Sequence, residues 1–294
     1  MIKLRSAKKC SPARESASLE DQIERFLQLY EQKLGQHNFL PEYIINIDET
    51  KASPSKTSSS SRRFGRAGKT ELHTVEDSDD ACRTLIVCAS ASGKTYMTIK
   101  LFSENGLARP GNVSNFPVLV KERILRDDWD SYYCRHKKGN MTQDLWGTVL
   151  TTLADHLNMF RRDLPVLILA DQPNCHVNVD ILESLIEQDI FVLFFPHNSS
   201  HILQPLDDAP FARFKEEYRN FIHRKSIGAI LQSTNPKPSG SFIDDAEHQS
   251  FHRETIIAGF SKRGLWPFDK EKVRSNVRKT LARIGKPSLT RYRN

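Results

Sequence analysis

Residues 43–50 read YIINIDET. Ile44, Ile45 and Ile47 form a β-branched run of the kind that makes a buried strand, and the run stops at an acid pair, Asp48 and Glu49. A carboxylate at the end of a buried strand escapes its desolvation cost through solvent, an ionic partner or a metal ion. Which of these applies depends on whether other acids reach the same place.

Two further segments repeat the pattern. In LPVLILADQPNCH an apolar run, Val166 to Ala170, ends at Asp171. After a third apolar run in IFVLFFPHNSSH, the stretch LQPLDDAPFARFKEEYRNFIHRK opens on Asp207 and Asp208 and then takes helical spacing. Between these, CRTLIVCAS and KTYMTIKLF read as two strands joined by a short turn at Ser92 and Gly93, a hairpin. Helices are expected over 19–35, 142–159 and 179–188. Strands separated by helical segments, with one early hairpin, predict an α/β fold with a mixed sheet.

The turn at Ser92 also contains SGKT, the end of a phosphate-loop signature. The first glycine that signature needs falls at Cys88, and no helix signal follows Thr95, so a nucleotide loop is not expected. Stretch 51–69, rich in Ser, Gly and Arg, reads as an exposed loop, and 233–241 as a Pro/Gly/Ser link.

No apolar stretch approaches the roughly 20 residues that span a bilayer, and the basic N-terminus lacks an apolar signal region, so neither a secreted nor a membrane-embedded protein is expected. Cys10, Cys82, Cys88, Cys134 and Cys175 are odd in number and form no C-x-x-C pair, which points to reduced thiols. The net charge of +7 is uneven: residues 261–294 carry eleven Lys or Arg against Asp269 and Glu271, +9, leaving the rest near −2. A basic end on a near-neutral body suggests a polyanion partner, with a solvated charged helix as the competing explanation.

Asp48, Asp171 and Asp207 or Asp208 thus mark strand ends and an adjoining loop, where sites form in α/β sheets. Hard cations such as Mg²⁺ take oxygen ligands, and two ions about 4 Å apart stabilise the attacking and leaving oxygens of a phosphoryl displacement. Acids in such places also begin turns or cap helices, so spacing leaves both readings open.

IINIDET, LILADQPNCH, FFPHNSSHILQPLDDAPFARFKEEY and AGFSKRGLWPFD resemble the successive blocks of the DDE-type transposase core in the pogo/Tigger/jerky branch of the mariner superfamily. The resemblance spans roughly residues 40–270, and the block Pro196, His197, Ser200, His201, Leu203, Gln204, Pro205, Leu206, Asp207 is its most specific part. It implies an RNase H-like mixed sheet flanked by helices that binds Mg²⁺ or Mn²⁺, cuts DNA at transposon ends and joins the 3′ ends to a target. It also implies Asp48, Asp171 and Asp207 as catalytic metal ligands, DNA as partner, a nuclear location, a homodimer and no small-molecule substrate. A catalytically silent, transposase-derived DNA-binding or scaffolding protein is the alternative; retention of all three acids weighs against it. A different RNase H-like nuclease is a further rival, and SSHILQPLD speaks against that.

The expected organisation is a basic arm and amphipathic helix over 1–39, the catalytic core over 40–225, and a link with a basic helical segment over 226–294. Two features depart from the family pattern. Asp171 is followed by Gln172 and Pro173 where Asp-Asn is usual, and Gln adds a methylene to that amide. The family's helix-turn-helix domains precede the core, whereas the stretch before Asp48 reads as an arm and one helix. His201 reads as an acid-orienting or phosphate-contacting residue or as a loop histidine satisfied by backbone, Trp266 as a packing anchor, and Arg62, Arg63 and Arg66 as solvated loop charges ahead of DNA contacts. The sequons at Asn112, Asn140 and Asn198 are expected to stay idle.

Overall fold

The computed structural model describes residues 12–51, 82–102, 119–122, 129–135, 141–171, 178–232 and 240–284. Loop 51–69 beyond Lys51, Gln172 and Pro173, the sequons at Asn112 and Asn140, and most of the 233–241 link lie outside the described residues.

Seven strands form one sheet in the order β4-β5-β3-β2-β1-β6-β7. They are β1 Ile44–Lys51, β2 Cys82–Ser90, β3 Thr95–Phe102, β4 Val120–Glu122, β5 Asp130–Arg135, β6 Val166–Asp171 and β7 Ile190–Phe195. The hairpin expected from sequence is present: β2 pairs antiparallel with β1 and with β3, and Gly93 takes a φ of +86 in its turn. That left-handed conformation suits glycine because it has no Cβ. Thr95 begins a strand, not a helix, in keeping with the expectation of no nucleotide loop. β6 runs parallel to β1, and β7 parallel to β6. Three sequential antiparallel strands followed by two parallel ones beside the first make an RNase H-like core. β5, parallel to β3, and the short β4 extend its far edge.

Each face of the sheet carries its own apolar layer. Ile45, Ile47, Ile86, Ile168 and Ala170 pack with α2 (Gln143–Asn158) and α3 (Val179–Ile186) on one side. Ile44, Leu85, Val87, Leu167 and Leu169 face the other side, covered by α1 (Pro12–Gln36), α4 (Ser200–Leu203), α5 (Ala209–Gln232), α6 (Gly240–Ser250), α7 (Arg253–Arg263) and α8 (Lys270–Ile284). Burial on both faces explains why β1 and β6 read as apolar runs without alternation. Helix α6 begins at Gly240, so the last two residues of the expected link are helical.

The N- and C-terminal helices share this core. Ile23, Phe26, Leu27 and Tyr30 of α1 are buried in it, and the Tyr30 hydroxyl donates to Leu265 O at 2.7 Å. Trp266 packs partly buried against the same cluster, as an anchor would. Helix α8 inserts Val273 and Val277, while Arg274 pairs with Glu24 at 2.6 Å and Lys270 with Glu31 at 3.0 Å. Part of the terminal positive charge is therefore met by acids of α1, and Lys272, Arg278 and Lys279 stay exposed. Among the described residues no helix is long and apolar enough to cross a membrane.

Phe26 is 3% exposed, with Phe195 of β7 at 5.3 Å between ring centroids. Phe26→Ala is expected to lower the free energy of urea unfolding of the whole chain by about 3–5 kcal/mol. A loss near zero would mean that α1 is not part of the cooperative core.

Candidate active site

Strand geometry brings two of the three predicted acids together. The paired residues of β1 and β6 run in step from Ile44 with Leu167 to Ile47 with Ala170, so Asp48 and Asp171 are the next position on each strand. Side chains alternate faces, and Asn46, Asp48, Leu169 and Asp171 therefore share one face. Asp207 approaches that face from the turn between α4 and α5. Glu49 points to the α2 side, where it borders a cleft of about 250 Å³ together with Trp146. Asp48, Asp171, His197 and Ser200 line the same cleft.

Each acid has a distinct setting. Asp48 Oδ1 accepts from the Glu49 amide at 2.8 Å, whereas its Oδ2 is buried and has no hydrogen-bond partner. Ser200 Oγ donates to Asp171 Oδ2 at 2.5 Å. Asp207 is exposed as a residue, yet its carboxyl is partly desolvated by the surrounding protein. Asp208 is turned away: Lys262 Nζ lies 2.6 Å from its Oδ2 and 2.9 Å from its Oδ1. Asp208 immediately precedes α5, and its carboxylate holds α7, because a lysine 54 positions later folds back beside it.

Burial, and for Asp48, Asp171 and Glu49 a neighbouring acid, raise the carboxyl pKa values. Asp48 is pushed well above the ordinary 3.8 by burial first, then by the negative charge of Asp207 and, more weakly, Asp171, with the Glu49 amide opposing. Burial likewise raises Asp171, against the Ser200 hydrogen bond, with Asp207 adding to the rise. Partial desolvation raises Asp207, opposed by Lys215, Arg263 and His201. Glu49 is raised by burial and by Asp171.

An orphaned buried carboxylate oxygen among like charges is the setting a hard divalent cation fits. As they stand, no three His, Cys, Asp or Glu side chains among the described residues are grouped closely enough to hold one ion.

Helix α7 fixes the turn before Asp207. A Cβ on Gly259 would meet Pro205 O at 2.4 Å, so only glycine allows this approach. Arg263 donates from Nε to Gln204 O at 3.1 Å and from Nη1 to His201 O at 2.7 Å. The His201 backbone is thus satisfied while its ring stays exposed near Asp207. Sequence reasoning gave no role to Asn46, Ser200 or Arg263. Asn46 left a signal as an amide in the middle of a β-branched run, and Ser200 and Arg263 lie in the resembling blocks without a pattern that gives their contacts.

The model of the DDE superfamily endonucleases matches residues 82–260, more than half of the chain. The chain belongs to this family. Asp171 and Asp207 lie inside the matched range, and Asp48 precedes it. Among solved structures, the chain is similar to the Mos1 transposase catalytic domain with raltegravir and Mn, at 14% identity and a TM-score of 0.47, over 96% of this chain and 99% of that one. It is also similar to the Mos1 mariner paired-end complex with Mn, at 16% identity and a TM-score of 0.48, over 94% of this chain and 68% of that one. The sheet topology and the family match, rather than these distant likenesses, carry the assignment.

Raised carboxyl pKa values set the sign of a pH effect. The folded chain keeps these protons to higher pH than the unfolded chain, so stability is fully present below 3.8 and is lost as pH rises through the raised values. In chelator-treated buffer, Asp48→Asn is expected to be more stable than the native chain at about pH 7 and to lose less stability between about pH 4 and 7. Urea unfolding across that range checks this, and parallel curves would contradict it.

Proposed function

We propose that this DDE endonuclease cleaves and rejoins DNA strands with Mg²⁺ or Mn²⁺ held by Asp48, Asp171 and Asp207. The observation that carries the reading is that Asp48 and Asp171 share one sheet face with Asp207 near enough to raise both, while Asp48 Oδ2 is left unpartnered. All-oxygen donors suit these cations, which when bound would stabilise charge on the attacking and leaving oxygens of an in-line phosphoryl displacement.

The chain's own groups prepare the site. The Glu49 amide holds Asp48 by one oxygen and leaves the other free to ligate. Ser200 fixes one oxygen of Asp171. Lys262 withdraws Asp208 from the set, so the third ligand is Asp207. Lys215 and Arg263 lie near enough to influence Asp207 and sit where the phosphates of a bound strand would gather. With DNA as substrate, the reading implies a protein that acts in the nucleus.

Exposed basic residues of α8 add sequence-indifferent affinity, because contacts to phosphate carry no base information. Duplex binding is expected with dissociation constants of roughly 10⁻⁴–10⁻⁶ M at physiological salt.

Nicking of a labelled duplex in Mg²⁺ or Mn²⁺ tests the assignment. Asp48→Asn, Asp171→Asn and Asp207→Asn are each expected to lose at least about 10³-fold in rate, since the ions contribute several kcal/mol to the transition state. Asp208→Asn should retain most of the activity. Loss in Asp208→Asn with activity kept in Asp207→Asn would move the third ligand by one residue, and a native chain that binds duplex but never cuts would favour the silent derivative.

A further inference from the structure

We propose that Asn46 is the positioning residue of the acid site: one buried carboxamide that sets the placement of Asp48, Asp171 and Asp207 relative to one another. The inference rests on the metal-site reading above and adds to it the residue that builds the site.

Asn46 lies in mid-strand, paired with Ala89 of β2 on one side and Leu169 of β6 on the other, and it is fully buried. Asparagine is a poor strand residue, and its amide is costly to bury unless each polar atom finds a partner. Here each does. Nδ2 donates to Leu169 O at 2.9 Å and to Gln204 Oε1 at 2.7 Å, and Oδ1 accepts from Leu206 N at 3.3 Å. The backbone donor at Leu206 and the backbone acceptor at Leu169 fix which end of the amide is which.

These partners are the segments that carry the acids. Asn46 stands two residues before Asp48 on the same face, Leu169 two residues before Asp171, and Leu206 immediately before Asp207. One side chain therefore links strand β1, strand β6 and the turn into α5. β1 and β6 already hold each other through their ladder, but the turn has no strand pairing. Asn46 attaches it to the sheet from below, and Arg263 and the close approach of Gly259 hold it from α7. An apolar residue at 46 would suit the strand better and leave Leu206 N and Gln204 Oε1 without this partner in a dry interior, so the amide serves the turn rather than the strand.

The effect to measure is divalent-ion affinity, because groups that orient ligands change affinity about 10–100-fold when removed. Asn46→Thr keeps a good strand former but cannot reach the turn. Tyr30→Phe removes a buried hydrogen bond in the same apolar layer that ends on Leu265 O and touches none of the three acids, and serves as the control for lost stability. Mn²⁺ is titrated into the full chain and free ion is read by electron paramagnetic resonance, with metal-free melting recorded for each protein. Asn46→Thr should raise the Mn²⁺ dissociation constant about 10–100-fold while Tyr30→Phe stays within about twofold. Native-like affinity in a folded Asn46→Thr, or weakening in both variants in proportion to their lost melting temperature, would overturn the inference and leave the metal site standing. A native chain that binds no Mn²⁺ would overturn both. If Asn46→Thr does not fold, Gln204→Leu, which removes the Oε1 that accepts the 2.7 Å bond together with a buried Nε2 that has no hydrogen-bond partner, is judged by the same criteria.

Discussion

The in-step parallel pairing of β1 with β6 is the constraint on which the site depends. Because side chains alternate along a strand, a slip of one residue would send Asp171 to the α2 face while Asp48 stayed where it is. The register is secured by burial on both sides: Ile45, Ile47, Ile168 and Ala170 fill one layer, and Ile44, Leu167 and Leu169 the other. Slippage would also bring Asp171 into the apolar layer below α2. Hydrophobic packing thus specifies the position of the charges, and the cost of burying Asp171 acts in the same direction.

Gathering carboxylates at the end of such strands works against folding, and the structure offsets it locally. Ser200, the Glu49 amide and the cations near Asp207 each favour an ionised form. Asp208 is paired separately. A second polar cluster on the same face is handled differently: the buried Lys100 pairs with Asp244 and lies 3.7 Å from Glu247, while Thr98 donates to Glu247 at 3.0 Å. There opposite charges meet and fasten α6 to β3. At the acid site like charges meet, which is the arrangement expected of a site that receives a cation rather than of a structural ion pair.

Much of this was legible in the sequence because it is local. The apolar runs of β1, β6 and β7, the hairpin of β2 and β3, and helices α2, α3 and α5 each announce themselves by periodicity and turn residues. Strands β4 and β5 did not: VKE is three residues long, and DSYYCR becomes a strand through pairing with β3. The choice between Asp207 and Asp208 as the site acid came from the resemblance. That Asp208 is otherwise engaged depends on Lys262, which no local pattern connects to it. Asn46 was visible as an anomaly in its strand, but its role required knowing that Gln204 and Leu206 return to it from more than 150 residues away.

Locating Mn²⁺ by its anomalous scattering in crystals of the native chain tests the central claim most directly. Two ions about 4 Å apart should appear among the carboxylates of Asp48, Asp171 and Asp207, with Asp48 Oδ2 as a ligand and Asp208 still on Lys262. Ions bound elsewhere while these three carboxylates stay metal-free, or a site that recruits Asp208 in place of Asp207, would contradict the account.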